Sequence, residues 1–266
     1  TTDVVIPTNP AGGNIFPDLT AVAPTDGNTQ NLTIQSGASV TVGNRTLTVN
    51  GNVTGLGTLT GNTGTVTVSG DLSVDTYSAT SGTTTVSGGF SPTTLAANNG
   101  TVTFSGANAQ SVTSGGNSFF NVTVSKSGGS ISFSDSLDIT NGLTVNAGAY
   151  TASFVGAANT IAGNTTFGAI DQLTLGDGGD STEFTGGLTA TNPTQTNIAG
   201  TVTTTGGTAA AFGSVVLQGG STVSTGGALG GDITFGTVTG AGQTLGITAG
   251  TGNVVFGGQV GTLANR

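Results

Sequence analysis

Short apolar–polar–apolar triplets dominate this chain and restrict what it can fold into. Leu32-Thr33-Ile34, Val40-Thr41-Val42, Leu47-Thr48-Val49, Val66-Thr67-Val68 and Leu72-Ser73-Val74 follow one another closely, each bounded by Gly, Asn, Asp or Ser. The same texture continues through Val102-Thr103-Phe104, Ile131-Ser132-Phe133, Leu143-Thr144-Val145 and Leu173-Thr174-Leu175 to Val254-Val255-Phe256. Side chains along a strand point alternately to opposite faces, so each triplet buries two residues and shows one. Helix signals are nearly absent: good helix formers are few, and Gly occupies 49 of 266 positions. The fold class is therefore all-β.

Spacing chooses among β folds. The triplets recur about every 6 to 10 residues, with Gly-containing pieces between them. A tandem antiparallel β-sandwich is the alternative, because its strands recur at overlapping intervals. Three features favour a parallel β-helix, or β-solenoid. The strands are shorter than is usual in a sandwich. The texture runs unbroken from about residue 31 to the end. Each unit loosely repeats its neighbour, as stacked coils do. Gly and Asn between strands suit the left-handed corners of a coil. A coil of three short strands would use roughly 18–25 residues, giving about ten to twelve rungs.

Composition closes off most chemistry. There is no Cys and no His. That removes a thiol nucleophile, a Ser-His-Asp triad, thiolate or imidazole metal sites and disulfides. Lys and Arg total 3 against 12 Asp and Glu, a net charge of −9. Three cations make no footprint for nucleic acid. With two Tyr and no Trp, a sugar-cleaving carboxylate pair would lack rings to hold its substrate, so the chain reads as a non-enzyme. It also reads as not disordered, since about one-fifth of it is Thr and it carries many further β-branched residues. The expected core is Val, Ile, Leu, Thr and Ala with scattered Phe. No run of about 18 apolar residues exists to span a membrane as a helix.

The first 30 residues differ. Four of six prolines sit there, at Pro7, Pro10, Pro17 and Pro24. Proline cannot donate to a central ladder, so residues 1–30 are expected to form a cap or an extended arm, with the solenoid over 31–266. Within the arm, Val4, Val5 and Ile6 form an apolar triplet that would cap the first rung or pair with a neighbouring subunit as a donor strand. The chain starts at Thr1 and has no Met, which suggests processing. The sequence ends without a polar capping module, so a longer parent or a stacked subunit is expected to continue the ladder.

Three stretches carry a resemblance. They are Asp3-Val4-Val5-Ile6-Pro7 with Pro17, Leu19-Thr20 and the segment Asn31–Thr60; Val102–Gly148; and Gly231–Leu263. The first two resemble the β-strand-repeat proteins of bacterial surfaces. The third resembles repeats of filamentous-haemagglutinin-like and autotransporter-like passengers. The resemblance implies a secreted, right-handed parallel β-helix, in a group that includes adhesins, matrix fibres, surface layers and enzyme stalks.

Candidate chemistry is sparse. Asp177, Asp180 and Glu183 lie in a Gly-rich segment whose hard oxygens suit Ca²⁺, against the plainer reading of a solvated corner. No other cofactor is expected. Alternation puts Asp135 and Asp138 on opposite faces. Lys126, between Ser125 and Ser127, reads as an exposed turn. Sequons at Asn31, Asn44, Asn52, Asn121 and Asn164 read as coincidence of a Thr- and Asn-rich composition, with a surface glycan as the alternative; glycans are also candidate partners. Thr-x-Thr triplets occur at Thr46/Thr48, Thr58/Thr60, Thr65/Thr67, Thr101/Thr103, Thr201/Thr203 and Thr237/Thr239. Stacked, they would give a flat Thr array like that of an ice-binding solenoid. Their irregular spacing favours ordinary outward Thr of high β propensity.

The expected function is a structural subunit of an extracellular bacterial filament, sheath or surface matrix. Its partner would be itself, as a head-to-tail homopolymer joined through exposed edges and the Val4-Val5-Ile6 arm. An adhesin passenger binding a cell-surface glycan is the alternative, with ice binding third.

Overall fold

The computed structural model describes residues 2–8, 18–19, 26–227, 229–240 and 242–261. Among them there are 26 strands and no helix. The strands pair in parallel and stack in about 11 turns, so the chain is a β-solenoid. Parallel pairing excludes the antiparallel sandwich. Two compact units divide it, Thr1–Ser125 and Lys126–Arg266.

In the first unit each coil has three sides. One stacks Val4–Ile6 on Leu32–Ile34, then Val53 and Leu72, with Val4 opposite Leu32 and Leu32 opposite Val53. A second stacks Ser39–Thr41, Thr58–Thr60, Thr76–Ser78 and Thr94–Ala96. The third stacks Gly27–Thr29, Thr46–Val49, Thr65–Val68, Thr83–Val86, Thr101–Phe104 and Asn121–Val124. The second unit repeats the plan. One of its sides runs through Ala158–Ile161, Ser181–Phe184, Thr201–Thr204 and Ser221–Ser224 to Leu245–Thr248. Equivalent residues are 18 apart where Gly89 meets Asp71 and 23 apart where Asn159 meets Thr182.

Triplet alternation places the core. On the third side, Leu47, Val66, Thr84, Val102 and Val122 point inward and are buried, as do Val49, Val68, Val86, Phe104 and Val124. Thr84 is tolerated inside because its hydroxyl lies 2.5 Å from the buried Tyr77 phenol. The phenylalanines are not scattered. Phe90 packs against Phe104 and Phe119 with ring centroids 5.6 Å away in each case. Phe133 stacks on Phe154 at 5.0 Å, and Phe154 meets Phe167 edge-on at 5.9 Å. Phe212, Phe235 and Phe256 form a column with successive separations of 5.3 Å. In-register stacking brings rings that are distant in sequence into such aromatic pairs.

Corners are closed by two devices. At Gly55 (φ +121°) and Gly200 (φ +117°) a continuous strand bends from one side to the next with a register shift. A side chain there would meet the backbone of Ile34 or Asp180 in the adjacent rung. Elsewhere Asn and Asp side chains bridge rungs. The Asn52 amide N–H donates to Asn31 Oδ1 (2.8 Å), that of Asp71 to Asn52 Oδ1 (2.9 Å), and that of Gly89 to Asp71 Oδ1 (2.6 Å). Asn164 and Asp232 accept in the same way from Gly187 and Asn253, both at 2.7 Å. Such bonds satisfy corner amides that the strand ladder leaves unpaired.

Two predictions follow from this packing. Phe154 is fully buried between Phe133 and Phe167, so Phe154→Ala should cost about 3–5 kcal/mol in denaturant unfolding. An unchanged midpoint would contradict the ring column. Burial also pushes both tyrosines up, Tyr150 to about 12 and Tyr77 further despite its Thr84 hydrogen bond. An acid whose folded pKa is raised contributes stability below its unfolded value, near 10. Stability should therefore fall as pH rises from about 10 towards 12. Phenolate absorbance during alkaline titration should appear only above the free-tyrosine range until the chain unfolds.

Candidate functional site

The apolar triplet of the N-terminal segment forms the strand Val4–Ile6, paired with Leu32–Ile34 of its own chain. The Val4 N–H donates to Asn31 O, and Ile6 O accepts from the Gln35 N–H, both at 2.9 Å. Alternation of parallel bonding therefore points the N–H and C=O of Val5 away from that neighbour. Val5 is 56% exposed, while Ile6 is buried. Pro10, Pro17 and Pro24 lie outside the described residues.

In the second unit, Val254–Phe256 pairs with Ile233–Phe235. The Ile233 N–H donates to Asn253 O and the Gly257 N–H to Phe235 O, both at 2.8 Å. The same alternation turns the N–H and C=O of Val254 and Phe256 outward. Val254, Val255, Phe256 and Val260 are all exposed. Asn253 stands one rung beyond Asp232 in its column of bridging side chains.

The carboxylates suggested for calcium are placed less closely than their spacing implies. Asp177 and Asp180 share a loop, where the Asp177 N–H donates to Asp180 Oδ2 at 2.8 Å. The Asp180 carboxylate, by hydrogen bonding and then by charge repulsion, raises the pKa of the Asp177 carboxyl. Glu183 lies instead within the strand Ser181–Phe184, opposite Thr160 and Thr203. Among the described residues no group of three or more Asp, Glu, His or Cys comes together to hold a metal ion.

Lys126 corrects the sequence reading: it is 4% exposed, and burial lowers the pKa of its ammonium. It continues the inward alternation of Val122 and Val124, a period that overrides the turn-like Ser and Gly around it. Asp135 and Asp138 are both partly exposed. Of the sequons, Asn31, Asn52 and Asn164 use their side-chain oxygens to bridge rungs. Asn44 is exposed.

The Thr-x-Thr triplets sort by side. Thr46/Thr48, Thr65/Thr67 and Thr101/Thr103 fall on one side of the first unit, in register with two positions that their pattern missed, Thr83/Thr85 and Thr123. Thr58/Thr60 belongs to another side. Thr201/Thr203 and Thr237/Thr239 lie in the second unit, where Thr203 stands beside Glu183 and Thr237 donates to Ser214 Oγ or accepts from it at 3.1 Å. The missed signal was the Thr83-Thr84-Thr85 run, spaced from its neighbours as those are from one another.

No protein-family model, curated protein or solved structure matches the chain. Among the described residues no helix is long and apolar enough to cross a membrane.

The acidic loop gives a direct check. Asp180→Asn should lower the apparent pKa of Asp177 towards that of a free carboxylate, followed by its carboxyl carbon shift during NMR titration. An unmoved titration would separate the two side chains.

Proposed function

We propose that this chain is a structural subunit of an extracellular bacterial filament, sheath or surface matrix. It grows end to end as one copy adds its first rung to the open edge of another. The observation that carries this reading is the pair of outward backbone edges, at Val5 and at Val254 and Phe256. Unpaired edges of this kind template further strands. Apolar side chains accompany both: Val4 and Val5 on one, Val254, Val255 and Phe256 on the other. An apolar concavity of about 200 Å³ adjoins the first, lined by Val4, Ile6, Leu32 and Val40; in the second unit one of similar volume is lined by Leu217, Val238, Leu245 and Val260. Burial of such surface between copies would drive association.

The sequence resemblance to bacterial surface repeat proteins supports the extracellular setting. Low charge allows close approach of neighbouring copies, while the net charge of −9 limits uncontrolled clumping.

Proline tests the edge with little cost to the fold. At Val254 it removes a donor that faces away from Ile233–Phe235, so the chain's own ladder keeps its bonds. Wild-type protein should form long polymers in negative-stain micrographs. Val254→Pro should stay short, with the β signal in circular dichroism preserved. Equal polymer length for both, or a wild type that stays monomeric at high concentration in sedimentation velocity, would overturn the assembly.

A further inference from the structure

One side of the first unit carries an ordered lattice of threonines. Its second column runs Asn28, Thr48, Thr67, Thr85, Thr103 and Thr123, each opposite the next across a parallel ladder. The first column runs Thr46, Thr65, Thr83 and Thr101, and ends at Asn121. All of these residues are at least partly exposed. Their in-strand neighbours Leu47, Val66, Val102 and Val122 fill the core behind them.

The lattice is uniform in three respects. Asp26 heads the first column, where its carboxylate accepts from the Thr46 N–H at 2.9 Å, and Arg45 precedes Thr46; from Thr65 to Thr123 no charged residue interrupts either column. None of the threonine hydroxyls in the two columns has a hydrogen-bond partner among the described residues. By contrast, hydroxyls elsewhere are spent internally, as Thr208 is on Gly186 O and Thr225 on Gly231 O. Finally, the corner before the first column is glycine at Gly64, Gly82 and Gly100. A Cβ there would strike the carbonyls of Arg45, Gly64 and Thr80 respectively. Those corners carry no side chain that could stand above the sheet.

We propose that this face binds ice. A parallel ladder repeats its side chains about every 4.8 Å between rungs and about 6.6 Å between alternate residues of one strand. The rung repeat is close to one oxygen spacing on the prism face of hexagonal ice, and the along-strand repeat is somewhat shorter than the other. Threonine is stiff at χ1, so each column presents methyl and hydroxyl in a repeated orientation. Water caged over the methyls and anchored by the unpaired hydroxyls would continue into a crystal without rearrangement. From Thr65 to Thr103 the two columns of this face carry no charged side chain and no aromatic ring, which are features that hold ions and sugars. What the face offers is a regular repeat, and the partner matched to it is itself a lattice.

This activity is independent of end-to-end growth, because the lattice lies along the coil and not at its edges. The test is partition of the purified full-length chain into slowly grown ice, alongside thermal hysteresis. Wild type should be enriched in the ice and should hold the freezing point below the melting point. Thr85→Tyr, at the lattice centre, should be excluded from the ice and lose the hysteresis, with circular dichroism unchanged. Thr189→Tyr, at a partly exposed position of the second unit, should behave as wild type. Exclusion of wild type from ice would overturn the proposal, as would equal enrichment of wild type and Thr85→Tyr. Self-association sensitive to Thr85→Tyr without ice enrichment would reassign the face to a second copy.

Discussion

Parallel, in-register pairing between successive rungs is the constraint from which the rest of this molecule follows. Once Leu47 sits over Val66 and Val66 over Thr84, every other residue of those strands is fixed to a column. Inward positions stack into a continuous core and outward positions into surface columns. The stacking is tight enough that several corners are taken by glycine or by a bridging side chain, as at Gly55 and along Asn31, Asn52 and Asp71. Because each rung touches only its neighbours, stability is close to a sum of nearest-neighbour terms. Loss of one ring from a Phe column is therefore felt in full and locally.

The same constraint separates folding from surface chemistry. Apolar burial lies on the inward columns, and outward threonine adds only its preference for pleated backbone. A surface column can change identity without disturbing the core behind it. The Thr lattice and the interrupted columns of the second unit, where Glu183 stands beside Thr203, are two outcomes on one scaffold. The scaffold's weakness is at its edges. There the repeat that satisfies every interior strand leaves Val5, Val254 and Phe256 with outward polar groups. The assembly proposed for this chain would use the edges, and the ice recognition proposed for it would use the side.

Much of the architecture was legible because its signal is local. Period-two triplets such as Leu47-Thr48-Val49 gave the strands, and the Gly and Asn between them gave the corners; Asn62, Asn98 and Asn99 do adopt positive φ. The expected rung length and number agree with about 11 turns. What was not legible depends on register, which pairs residues about twenty positions apart. Pooling Thr-x-Thr triplets from different sides made their spacing look irregular, whereas those on one side recur regularly with Thr83/Thr85 between them. The Phe columns were hidden for the same reason. Lys126 was misread for a local reason: its turn-like neighbours outweighed the alternation running from Val122 and Val124. The acidic segment was grouped by sequence nearness, yet Glu183 belongs to a strand and the two aspartates to a loop.

Distance measurement between spin labels tests the register most directly. The chain has no Cys, so paired labels can be placed at will on the outward column of the first unit. Labels at Thr67 and Thr103, two rungs apart, should sit about 10 Å from each other, and labels at Thr48 and Thr123, four rungs apart, about 19 Å. Separation that grows in proportion to rung number would establish the parallel stack. Distances that ignore rung number, or that place Thr48 nearer Thr123 than Thr67 is to Thr103, would contradict it.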